Sequence, residues 1–123
     1  MGFPSPAKDY EEDRLDLNTL LIHHPSATFH MRVKTNAMEG DNIPEGSLAI
    51  VDRALTPRNN DIIIAVVDGE LIMRRLEQKA DGKYLTASNP KFKSIKIQKQ
   101  LQVWGVVSVI ISNPNNLSHV CLG

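Results

Sequence analysis

The chain reads as a mainly β protein, a single domain on a curled antiparallel sheet with one short helix near its N-terminus. Three observations predict this. Apolar residues recur with period two over several short segments, as in Phe29, Met31 and Val33 between His30, Arg32 and Lys34. Asp68-Gly69 stands between Ile62 to Val67 and Glu70 to Leu76, the signal of a two-residue hairpin turn. No series of strands alternates with long helical patterns, which argues against a doubly wound parallel sheet. The length, 123 residues, suits one domain.

The elements follow in order. Residues 1–14 are expected to form an extended arm. Pro4 and Pro6 fix their own φ and push their predecessors out of the helical region, and a charged stretch, Asp9 to Arg14, follows. Residues 15–112 form the folded domain and 113–123 a polar tail. Asp16 is placed to cap a short helix whose Leu17, Leu20 and Leu21 make one apolar stripe, and Pro25 forces its end. Strands are predicted from Thr28, over Leu48 to Val51, over the two arms of the hairpin, and over Tyr84 to Thr86. A further strand holds Ile95 and Ile97, and the last, Val103 to Ile111, is the most apolar. Gly40-Asp41, Pro44-Glu45-Gly46, Asp81-Gly82 and Ser88-Asn89-Pro90 supply the turns between them.

Composition narrows the function classes. Fourteen Lys and Arg balance fourteen Asp and Glu, so the formal charge is zero, which argues against a basic nucleic-acid grip and direct sequence-specific DNA binding. At 41% apolar residues the chain can build a core. Its longest apolar runs, Ile62 to Val67 and Val106 to Ile111, are far too short to span a membrane, and no secretory signal is expected at Met1. A lone cysteine, Cys121, fits a reducing compartment, so a cytoplasmic protein is expected.

The census of reactive groups is sparse. His23-His24 and His30 lack the spacing of zinc ligands, and no glycine pattern cradles a phosphate, so neither metal nor cofactor is expected. Cys121 has no basic or helix-start environment to lower its pKa. The lysines at 91, 93, 96 and 99 read as a solvated strand face, because Phe92 alone is interleaved for base stacking.

Three segments resemble the UmuD family, the SOS-mutagenesis branch of the LexA-like S24 self-cleaving serine peptidases. They are Gly2-Phe3-Pro4-Ser5-Pro6-Ala7, then Leu15 to Asn18 with His24 to Thr28, and a third running from Met38 to Trp104-Gly105-Val106-Val107. The resemblance implies a LexA-like C-terminal peptidase-type domain. It also implies two chemical positions. Family members carry a serine nucleophile before the methionine that aligns with Met38, where this chain has Ala37. Their general base is a lysine on the second arm of the Asp-Gly hairpin, where this chain has Arg74. An alanine methyl cannot attack a carbonyl. A guanidinium holds its proton up to about pH 12 and cannot act as the base. The peptidase is therefore expected to be silent. Thr35 and Asn36 depart from the pattern as well, which points to divergence rather than to one designed change.

Gly2 resembles the first residue after the family's cleavage point, so the chain is expected to match the processed form, with no arm left to remove. The resemblance then implies an accessory subunit of error-prone DNA synthesis. It would be a homodimer bound to a UmuC-like Y-family polymerase, with the RecA filament as a further partner. Related proteins pair through the C-terminal strand, which makes Val109 and Ile111 the candidate interface residues. An active S24 peptidase is the alternative; it would need another serine, from Ser26, Ser47 or Ser88, and an amine beside it. A repressor is not expected, because the fourteen residues before the helix cannot hold a helix-turn-helix domain.

Overall fold

A computed structural model describes residues 16–114. The expected arm and the tail beyond Pro114, with Cys121, lie outside the described residues. The helix, α1, spans Leu17–Leu21, and the Asp16 carboxylate accepts the backbone N–H of Asn18 and Thr19 as its cap. Its stripe remains open: Leu17 is 57% and Leu20 53% exposed.

Seven strands follow: β1 (Thr28–Arg32), β2 (Leu48–Asp52), β3 (Ile62–Val67), β4 (Glu70–Lys79), β5 (Gly82–Thr86), β6 (Ile95–Lys96) and β7 (Gln102–Ile111). They form one sheet in the order β1-β2-β7-β3-β4-β5-β6, and every neighbouring pair is antiparallel. The β3–β4 hairpin closes on Asp68 and Gly69 with φ of 51° and 80°, the left-handed pair that a two-residue turn needs.

The last of these strands, β7, lies inside the sheet between β2 and β3, which accounts for its apolar run. Its register steps twice. Ile50 pairs with Val109 and Val51 with Val107, which skips Ser108; Ile64 pairs with Gly105 and Ala65 with Val103, which skips Trp104. Bulges of this kind bend a strand and increase its twist, the local cause of the curl.

Core residues lie on both faces, since neighbours along a strand point opposite ways. Ile64 joins Val33, Ala37, Met38, Ile43, Ala49, Val51 and Met73 in one cluster, and Ile63 joins Ala65, Leu76, Leu85 and Val106 in another. One expectation is corrected. Phe29 is not an inner-face residue of a half-buried strand: it is 44% exposed, because β1 is an edge strand and Phe29 leans on Trp104 with ring centroids 5.5 Å apart.

Candidate functional site

After β1 the chain leaves the sheet but stays tethered. Val33 N–H donates to the Ser47 carbonyl and Gly46 N–H donates to the Val33 carbonyl, both at 2.8 Å. The next turn carries Ala37. Its N–H donates to Thr35 Oγ1 at 3.1 Å, and its carbonyl accepts Asn89 N–H at 2.9 Å. The buried Asn89 side chain donates from Nδ2 to the Asn36 carbonyl and to Glu39 Oε1, and its Oδ1 accepts Lys91 N–H. Asn89 thus clamps the Ala37 turn to the loop after β5. Nothing local in the sequence marks that role, since Ser88-Asn89-Pro90 reads only as a break.

Arg74 comes from the hairpin, opposite Ile63 across β3 and β4. It is 8% exposed. One guanidinium nitrogen, Nη1, donates to the Met73 carbonyl at 2.7 Å, and the guanidinium carbon sits 5.1 Å from the Phe92 ring centre. Nε is buried without a hydrogen-bond partner. Burial pushes its pKa below the ordinary arginine value.

Arg74 lines a cleft of about 400 Å³. From the β1 side Met31 to Thr35 border it; Ile64 comes from β3, Leu71, Ile72 and Met73 from β4, and Phe92 completes it. Ala37 does not line the cleft. Wholly buried, it shares a core cluster with Val33, Ile64 and Met73, three residues that do. The fold therefore brings the two positions singled out by the resemblance to one region, with Arg74 lining the cleft and the wholly buried Ala37 in the core cluster that adjoins it. Of the serines weighed above, none lines the cleft. Ser26 lies exposed in the turn Pro25–Ala27, Ser47 Oγ donates to the Pro44 carbonyl at 2.6 Å, and Ser88 packs near Gly40.

The sequence of this domain matches the Peptidase S24-like family model over residues 1–108. The chain belongs to that family. It is 41% identical to protein SamA of Salmonella typhimurium over 110 residues, 89% of this chain and 77% of SamA. Protein ImpA of the same organism is 38% identical over 117 residues, 94% of this chain and 80% of ImpA. Protein MucA, also from that organism, is 35% identical over 125 residues, 98% of this chain and 82% of MucA. The S24-like domain and its UmuD-type relatives agree with the resemblance read from the sequence.

The other sequence-predicted groups lie apart from the cleft. Val109 and Ile111 are half-buried near the end of β7. His24, read as an unremarkable histidine, places Nδ1 2.6 Å from Oδ2 of the buried Asp52. Among the described residues no three His, Cys, Asp or Glu side chains are grouped to hold a metal ion, and no helix is long and apolar enough to cross a membrane.

Proposed function

We propose that this S24-like protein is a catalytically silent accessory subunit of an error-prone DNA polymerase in the SOS response. It acts as a UmuD-like homodimer on a UmuC-like Y-family polymerase in the cytoplasm and also meets the RecA filament. The observation that carries the reading is the pairing of Ala37 with Arg74 at the two positions where the family's chemistry needs a hydroxyl and a neutralisable amine. A retained role must then run through surface rather than through bond cleavage.

The surfaces in question are the half-buried Val109 and Ile111 for pairing, and residues 1–14 for the polymerase. The latter hold Phe3, Tyr10 and the acidic Glu11-Glu12-Asp13, and their prolines reduce the entropy lost when such a segment orders on a partner. The neutral chain leaves the DNA-binding charge to the polymerase.

Co-purification tests the reading. The intact protein is expected to associate with a Y-family polymerase from the same host without prior cleavage or filament. Deleting Gly2 to Arg14 is expected to weaken binding and lesion bypass more than it alters folding. Failure of every host Y-family polymerase to associate would overturn the accessory-subunit role and leave the family membership standing.

A further inference from the structure

The cleft holds an unused cation. Arg74 is more than nine-tenths buried, makes no ion pair with any described residue, and leaves Nε without a partner. Among the described residues no Asp or Glu lines the cleft, while Lys34 adds positive charge to it. A buried guanidinium without an anion is costly, and its planar N–H groups suit a carboxylate in two-point geometry.

One wall of the cleft is a strand edge. Four consecutive residues of β4, Leu71 to Arg74, border it, as do five consecutive residues from Met31 to Thr35. Side chains on one face of a strand alternate, so an unbroken run of lining residues means that the edge itself faces the gap. The pairing agrees. β5 meets β4 only from Arg75 to Lys79, so Glu70 to Arg74 is paired on the β3 side alone, and β1 pairs only with β2. An extended chain can therefore add along the open edge of β4. It must stop at Arg74, because Thr86 of β5 already occupies the place opposite Arg75. An end that stops against a buried guanidinium is favoured as a carboxylate and disfavoured as an ammonium.

We propose that this cleft is a receptor for the free C-terminal carboxylate of an extended, apolar-ended peptide, which lies parallel to β4 with its carboxylate on Arg74. Phe92 covers the guanidinium, and Leu71, Ile72 and Met31 offer apolar contacts to the last side chains. The inference rests on the silent-peptidase reading above, because a working catalyst would cut or release such a chain.

Fluorescence anisotropy tests it, with a dye-labelled apolar hexapeptide ending in Val-Leu-Ala. The free acid is expected to bind the intact protein at least tenfold more tightly than its C-terminal amide or an amidated analogue with an internal glutamate. Arg74→Gln is expected to lose that tenfold preference, and Arg74→Lys to keep part of it. Equal binding of acid and amide, preference for the internal glutamate, or no binding of any of the three would overturn the proposal. If Arg74→Gln fails to fold, the acid–amide comparison on the unaltered protein still decides. Mass spectrometry of the recovered peptide separates the two readings. Cut peptide would overturn the silent cleft and this inference with it, whereas intact peptide without acid preference would overturn this inference alone.

Discussion

His24 Nδ1 lies 2.6 Å from Asp52 Oδ2, a pair that ties the exit from the N-terminal helix to the end of β2. Burial by itself disfavours the Asp52 anion most strongly. The His24 contact and the backbone N–H groups of Ala54 and Leu55 outweigh it, and the carboxyl is held below the ordinary aspartate value.

A group with a depressed folded pKa contributes stability above its unfolded pKa and loses it as pH falls through the folded value. Asp52 therefore stabilises the fold above pH ~4 and ceases to do so in stronger acid. In chemical denaturation, Asp52→Asn is expected to be less stable than the parent at pH 7, with the gap narrowing below pH ~4. A gap that stays constant with pH would contradict this linkage.

Gly105 has no space for a side chain. A β-carbon there would come within 2.5 Å of Val51 Cγ1 and 3.2 Å of Arg53 Cγ. Gly105→Ala must force β7 and β2 apart, an overpacking cost of about 1–3 kcal/mol. Thermal denaturation is expected to show a Tm lower by roughly 4–8 °C for each kcal/mol. An unchanged Tm would mean that the close approach of the two strands is readily relieved.

Asn89→Ala removes three side-chain hydrogen bonds and leaves the Asn36 carbonyl with only the 3.3 Å bond from Glu39 N–H. The expected loss is about 1–3 kcal/mol. The more telling readout is local: amide exchange over Asn36 to Gly40 is expected to speed up more than exchange in β3. Uniform acceleration would show that Asn89 supports the whole domain rather than the Ala37 turn.

Dimerisation through β7 predicts that Val109→Asp or Ile111→Asp shifts sedimentation toward monomer at micromolar concentration while the far-ultraviolet spectrum stays unchanged. Persistence of a dimer in both variants would move the interface elsewhere.

Much of the fold was legible because its signals are local. Asp68-Gly69 announces the hairpin through two residues that tolerate positive φ, and Asp16 announces the helix through a carboxylate that reaches N–H groups two and three residues on. What was not legible depends on distant partners. His24 and Asp52 are 28 residues apart, and Asn89 serves a turn 50 residues or more before it. The placement of β7 between β2 and β3 and its two bulges are likewise products of tertiary pairing. At the site, Ala37 and Arg74 were found by resemblance to a motif. The burial of Arg74 without an ion pair, and the open edge beside it, depend on where the β4–β5 ladder stops, with Thr86 opposite Arg75.

The central claim, that this S24-like cleft has lost its peptidase chemistry, is tested most directly by cleavage in trans. The protein is incubated with activated RecA filament, and separately at alkaline pH, with a full-length UmuD-like substrate whose own serine has been removed. The account predicts no accelerated cut at the family's junction for the parent or for Ala37→Ser, with the double change Ala37→Ser and Arg74→Lys as the minimum that can restore one. A cut at that junction by the parent, or by the single serine variant, would contradict it.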